Sequence, residues 1–150
     1  MFMTRCVAII QARLGSNRLP GKVLLPLGKT NVLGFMIHRV KKAKQLAEII
    51  IATTKNREDD ILCDEAREQN VSVFRGDEHD VLGRFHQAVL ESGADVIVRL
   101  TADCPLIDGK LIDEALSQFL ASDFDYLSNV IDRSFPDGLD IEIFLPRHWQ

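Results

Sequence analysis

The stretch that decides the fold is Cys6–Lys22, which reads CVAIIQ and then ARLGSNRLPGK. Cys6–Gln11 is a short, β-branched run without polar alternation, as expected of a strand buried on both faces. Ala12–Lys22 follows at once with two glycines, a proline and several polar side chains, and reads as a loop. The same rhythm continues outward. Asn31 is placed to cap a helix reaching about Gln45, with Leu33, Met36, Ile37 and Val40 on one face. Glu48–Thr53 is a second strand, Glu58–Gln69 an amphipathic helix, and Val71–Arg75 a third strand. Asp80–Ser92 is a helix stopped by Gly93, and Asp95–Leu100 is a fourth strand. Asp108 caps a helix to about Ala121, and Tyr126–Val130 and Leu139–Phe144 are further strands. Strands that alternate with helices and have continuously apolar interiors predict an α/β fold, with a parallel sheet covered on both faces. No linker, repeat or low-complexity tract interrupts the 150 residues, so they read as one domain. In such sheets ligands bind beyond the carboxyl ends of the strands, which directs attention to the loops after the first and fourth strands.

Composition narrows the function class. With 46% hydrophobic and 27% charged residues the chain resembles a soluble globular protein. No apolar run approaches the roughly 20 residues that span a bilayer, so no membrane role is expected. The N-terminus lacks a small-residue cleavage site and reads as a strand, not a signal peptide. Cys6, Cys63 and Cys104 are scattered, with no C-x-x-C pair. This speaks against a disulfide framework or structural zinc and for a reducing cytoplasm. The net charge of −4 argues against nucleic acid as a partner. The distribution is uneven: residues 1–47 hold nine Lys or Arg and no Asp or Glu. A basic first third in an acidic chain suggests a local anion site.

Three segments carry candidate chemistry. In the first loop, glycines allow backbone N–H groups to approach a phosphate, and Arg13, Arg18 and Lys22 supply cations. It is not a Walker loop: five residues separate Gly15 from Gly21, and Val23 stands where a Ser or Thr would bind magnesium. No G-x-G-x-x-G is present, so a dinucleotide oxidoreductase is unsupported. Spacing alone leaves both a phosphate cradle and an ordinary surface turn open. Asp103, just past the fourth strand in RLTADCPLID, suits either a hard cation or a turn cap. Asp140 and Glu142, two apart in a strand, share a face, which is either an acidic site or a solvated edge. Cys104 reads as a small buried hydrophobe. His38, His79, His86 and His148 show no ligand spacing and read as structural or exposed.

AIIQARLGSNRLPGK resembles the N-terminal signature of the cytidylyltransferases that activate acidic sugars. This superfamily includes the acylneuraminate and 3-deoxy-manno-octulosonate enzymes, and the likeness is greatest to the spore-coat polysaccharide biosynthesis branch. The resemblance runs from about Cys6 to Phe144. It implies a Rossmann-like three-layer nucleotide-diphosphosugar transferase fold with a mostly parallel sheet. It also implies transfer of CMP from CTP to an acidic sugar, with pyrophosphate released, for surface polysaccharide biosynthesis. Ala12, Arg13, Gly15, Ser16, Arg18 and Lys22, with Thr101, would bind the nucleotide, Arg13 and Lys22 acting catalytically on its phosphates. Asp103 matches the metal-binding turn of the family, and Asp140 and then Glu142 match the acidic pair that completes a Mg2+ site. Arg75 matches a base- or ribose-contacting arginine. Family members are usually longer, so the resemblance implies a chain shortened at its C-terminus, without the part that completes the sugar pocket and the dimer contacts. A homodimer, a glycosyltransferase on the same fold and a non-catalytic nucleotide-binding module stay open.

Overall fold

The computed structural model describes residues 3–16 and 18–149, except for the side chains of His148 and Trp149. In chain order the elements begin with β1 (Cys6–Gln11), a small hairpin of β2 (Pro26–Leu27) and β3 (Thr30–Asn31), α1 (Val32–Val40) and β4 (Glu48–Thr54). There follow α2 (Asp60–Glu68), β5 (Ser72–Gly76), α3 (Val81–Ser92) and β6 (Val96–Thr101). The last elements are α4 (Gly109–Leu120), β7 (Tyr126–Ser128) and β8 (Glu142–Phe144).

The main sheet has the order β5-β4-β1-β6-β8-β7. β5, β4, β1 and β6 are parallel, while β8 runs antiparallel to both β6 and β7. The all-parallel pattern therefore breaks at one edge. A parallel return needs a crossover, usually helical; residues 129–141 form no helix, and the chain turns straight back.

β1 shows why the central strand is apolar on both sides. Val7 and Ile9 pack with Phe85, Ala88 and Val89 of α3. Cys6, Ala8 and Ile10 pack with Leu33, Met36 and Ile37 of α1 and with Ile112 and Leu116 of α4. Helices on both faces make three layers, the Rossmann-like arrangement. Each large apolar side chain buried this way contributes about 1.5–3 kcal/mol. No helix among the described residues is long and apolar enough to cross a membrane.

Helix caps follow the sequence closely. The side chains of Asn31, Asp80 and Asp108 each accept a backbone amide at the start of α1, α3 and α4, and Gly93 ends α3 in the left-handed region at φ +60°. The expected first helix is too long, since α1 stops at Val40. Beyond it the amides of Lys44 and Gln45 bond the Asp113 carboxylate of α4, at 2.9 and 3.0 Å. A tertiary acceptor thus replaces the helical one. Gly109 permits this contact, because an added Cβ would lie 2.6 Å from the Ala43 nitrogen.

Strand order reverses between β1 and β6: the chain proceeds from β1 to β4 and β5, then crosses to place β6 on the other side of β1. Gln11 lies in register with Thr101, and the Ala102 amide donates to the Gln11 carbonyl at 3.0 Å. The loops leaving β1 and β6 therefore start side by side, where a crevice opens.

Candidate functional site

That crevice has a volume of about 530 Å³. Ala12, Arg13, Ser16, Arg18 and Lys22 form one wall, Thr101, Ala102, Asp103 and Asp140 the facing wall, and Val81 and Arg84 of α3 one end.

The cationic wall is shaped by a buried carboxylate. Asp59 is 1% exposed, accepts the Leu14 amide at 2.8 Å and takes the Thr54 hydroxyl. Leu14 in turn offers its carbonyl to the amides of Ser16 and Gly21, at 2.7 and 3.0 Å, so the loop closes on itself. Gly21 adopts φ +70°, a region open to glycine without steric cost. The chain then enters a short 3-10 turn, Lys22–Leu24, in which Val23 plugs into the core and Lys22 reaches the crevice. The position that excluded a Walker loop is therefore a core anchor.

The acidic wall is held from behind by Arg39 of α1. Its Nε donates to the Ile107 carbonyl at 2.8 Å and its Nη2 to the Asp108 carboxylate at 3.1 Å. This fixes the turn that carries Asp103. Across the crevice, Lys22 Nζ lies 3.1 Å from Asp103 Oδ2. Burial pushes the Asp103 carboxyl up, but hydrogen bonds from the Thr101 hydroxyl and Lys22 outweigh it, and its pKa falls below the ordinary value. Asp103 is therefore ionised at neutral pH. Arg13 is more loosely held, with Nη1 3.8 Å from Glu78.

Asp140 reaches the same crevice from the segment before β8, its carboxylate 3.1 Å from Arg133. The Cys104 thiol lies between the acidic residues, 3.9 Å from Asp103 Oδ1 and close enough to Asp140 to feel its charge. Burial raises its pKa first, and the two carboxylates add to this, so the thiol stays protonated. Among the described residues no group of three or more His, Cys, Asp or Glu side chains could hold a metal ion alone. Magnesium does not require one, since it commonly takes one or two carboxylates and completes its shell with substrate phosphates and water. Asp103 and Asp140 fit that role.

Three residues expected at the site do not line this crevice. Glu142 does not line the crevice with Asp103; β8 begins at Glu142 and Asp140 lies outside the strand, although the two carboxylates border one small cavity of about 100 Å³ together with Thr101 and Arg99. Glu142 instead pairs with Arg99 and accepts the Tyr126 hydroxyl at 2.8 Å. Arg75 turns away to the rim of α2. Its guanidinium bonds Asp60 at 2.6 Å and the carbonyls of Thr54 and Asn56, both at 2.8 Å, leaving none of it in the crevice. Gly15 does not line the crevice either; a Cβ there would come within 3.1 Å of Glu78 and 3.3 Å of Glu58, so the bare backbone admits these acids beneath the loop. His38 and His79 are exposed and His86 half-buried. The His148 side chain lies outside the described residues.

Sequence reasoning did not single out Asp59, Arg39 or Arg84. Asp59 and Arg39 sit on stretches read only as helical, and only the tertiary fold brings them under the loops. Arg84 carried a local signal, a cation one helical turn before Ala88, on the face that turns inward.

A second cavity of about 500 Å³ adjoins the first and shares Gln11 and Val81 with it. Leu82, Phe85 and Phe144 make it largely apolar. Arg99 crosses its wall, donating from Nε to Gln11 at 2.8 Å, with its guanidinium 5.8 Å from the Phe85 ring centre.

Comparison with known proteins agrees with this arrangement. The family model for cytidylyltransferases matches residues 7–135. The spore coat polysaccharide biosynthesis protein SpsF of Bacillus subtilis is 41% identical over 133 residues, 85% of this chain and 55% of the relative. The 3-deoxy-manno-octulosonate cytidylyltransferase of Bdellovibrio bacteriovorus is 33% identical over 116 residues, 77% of this chain and 46% of the relative. A cytidylyltransferase structure from Leptospira borgpetersenii superposes with a TM-score of 0.93 at 42% identity, covering 97% of this chain and 62% of the other. The chain spans about half the length of these curated relatives. From a model match over most of its length and relatives 41% and 33% identical, the chain belongs to the cytidylyltransferase family.

Proposed function

We propose that the crevice binds CTP and that the chain transfers its CMP group to a sugar hydroxyl, releasing pyrophosphate. The observation that carries this reading is the 3.1 Å approach of Lys22 to Asp103 across a crevice also lined by Arg13 and Arg18. Cations on one wall and carboxylates on the other suit a triphosphate and its metal. Arg13, Arg18 and Lys22, with Ala12, Ser16 and Thr101, hold the nucleotide, and Lys22 and Arg13 steady the negative charge that grows on the leaving pyrophosphate. Mg2+, held by Asp103 and Asp140, would neutralise phosphate charge when bound. In-line attack by the sugar oxygen breaks the bond between the α-phosphorus and the bridging oxygen, and needs no protein nucleophile.

The adjoining groove takes the sugar. Its polar groups are already paired, and its aromatic and aliphatic wall suits the weakly polar face of a ring. Acidic octulosonates are the first acceptors to try, since the Bdellovibrio relative is a 3-deoxy-manno-octulosonate cytidylyltransferase. Likeness to the spore coat polysaccharide protein supports a place in surface polysaccharide synthesis. The three free cysteines fit a reducing cytoplasm.

Thermal unfolding with CTP, UTP, ATP and GTP, each with magnesium, tests the donor. CTP alone should raise the midpoint clearly, by linkage. Equal stabilisation by all four, or by none, would remove CTP from the reading. A sugar panel with pyrophosphate detection then identifies the acceptor.

A further inference from the structure

We infer that Arg84 is a nucleotide-contacting residue, whose guanidinium at the end of the crevice takes a phosphate oxygen of the bound triphosphate. This rests on the reading of the crevice as a polyphosphate site. Arg84 is only 4% exposed although it carries a full charge. Buried charges are normally given partners for all their donors. Here Nη1 donates to the backbone carbonyls of Asp77 and Glu78, at 2.6 and 3.3 Å, while the buried Nε–H has no acceptor among the described residues. Burial and then the positive charge of Arg13 weaken the cation, and Asp59, Asp77 and Glu78 do not make up the difference. An anion between Arg84 and Arg13 supplies the missing acceptor and relieves their repulsion together. Such charge-assisted bonds are strong where water is excluded.

The arginine is held in this position by its surroundings. Gly76 at the end of β5 runs so close beneath it that an added Cβ would lie 2.6 Å from Arg84 Cγ and 2.9 Å from its Cβ. The two carbonyl bonds fasten the guanidinium to the turn before α3. In that turn Asp77 Oδ1 accepts the amides of His79 and Asp80, at 2.8 and 3.0 Å. Arg84 therefore bridges this turn and the crevice.

The test is calorimetric titration of the full chain and its variants with inorganic triphosphate and CTP in the presence of magnesium, with cytidine binding followed by saturation-transfer NMR. Arg84→Met, close in length but uncharged, should weaken triphosphate and CTP at least tenfold and change cytidine less than twofold. Arg84→Lys should recover only part of the loss, because it restores charge without the Nε–H. Gly76→Ala, which pushes the arginine aside and keeps its charge, should act like Arg84→Met. If Arg84→Met does not fold, these two variants decide. Equal loss for all three ligands would reduce Arg84 to a brace of the turn and overturn the inference, as would unchanged triphosphate binding. Wild-type protein that binds no triphosphate overturns both this and the proposed function. Wild-type binding of triphosphate without preference for CTP, with loss in Arg84→Met, sinks the cytidylyl reading and leaves the arginine's role standing.

Discussion

The crevice and the groove beside it share two residues and have almost the same volume, yet they treat charge in opposite ways. Arg13, Arg18, Lys22 and Arg84 line the crevice against two carboxylates, Asp103 and Asp140, a surplus of two positive charges. The groove is lined by Arg99 against Asp125 and Glu142, one negative charge in excess, with Arg99 paired to Glu142 and Asp125 3.4 Å from Arg147, which stands outside the lining. The crevice is thus an incomplete electrostatic arrangement that an anion completes, whereas the groove is electrostatically closed and offers shape. A triphosphate must be drawn from strong hydration by several cations at once, while a sugar ring mainly needs a wall of the right contour with its polar groups already placed. The two cavities meet at Gln11 and Val81, at the carboxyl end of β1 and the start of α3, so a nucleotide and an acceptor held in them would lie against one another.

The strongest way to break this contrast is to remove the acidic half of the crevice. Asp103→Ala deletes a carboxylate assigned to the metal and leaves Lys22 without its partner. Magnesium-dependent pyrophosphate release should vanish. A metal titration superimposable on that of the wild type would take Asp103 out of the mechanism. Next comes the cationic half. A hydrogen bond to a charged group contributes about 1.5–3 kcal/mol, and each 1.36 kcal/mol of barrier is about tenfold in rate. Lys22→Ala should therefore lower turnover by at least tenfold with no loss of fold, as read by pyrophosphate release and circular dichroism. Wild-type turnover would mean that the surplus charge at this position is not used.

The fold was legible because its signals are local. Residues Val7 to Ile10 give a strand buried on both faces, and Asn31, Asp80, Asp108 and Gly93 mark helix ends through bonds to their own neighbours. The meeting of Lys22 and Asp103 was legible for a topological reason, since both follow strands that flank the reversal in strand order. What the sequence withheld depends on contacts between distant segments. Arg75, at the end of the third strand, was expected to contact the base or ribose, but α2 brings Asp60 to it, and β4 brings the carbonyl of Thr54. Glu142 looked like the partner of Asp140 in one strand because the expected strand, Leu139–Phe144, begins three residues before β8; the two still border one small cavity beside the crevice. Asp59 falls within the expected amphipathic helix Glu58–Gln69 with no local sign of its role, and is the buried acceptor that tethers the loop lining the crevice.

Asp59 therefore sharpens the comparison from beneath the crevice. Replacing it by Ala strands the Leu14 amide and the Thr54 hydroxyl in a buried setting, which costs about 1–3 kcal/mol for an unsatisfied group. The midpoint of chemical denaturation should fall accordingly. CTP affinity should fall with it, because the loop that bears Arg13 and Lys22 loses its tether. Asp59→Asn, which keeps an oxygen acceptor, should lose less of both. Loss of stability with CTP affinity intact would show that the loop holds its shape without the carboxylate.

The smallest effect is expected in the groove, and it is the one that separates the two cavities. Tyr126 donates its hydroxyl to Glu142 at 2.8 Å. Burial and then the hydrogen bond to Glu142 raise its pKa, so it remains a protonated donor at neutral pH. Tyr126→Phe keeps the ring that walls the groove and removes only this bond, leaving Glu142 held by Arg99 alone. A neutral-to-charged bond at a half-exposed rim is screened, so a change of a few-fold is expected, and it should appear in the KM for the sugar with CTP binding untouched. If CTP affinity fell while the sugar KM stayed constant, the nucleotide would have to extend into the groove, and the division of labour between a charge-accepting crevice and a charge-closed groove would be wrong.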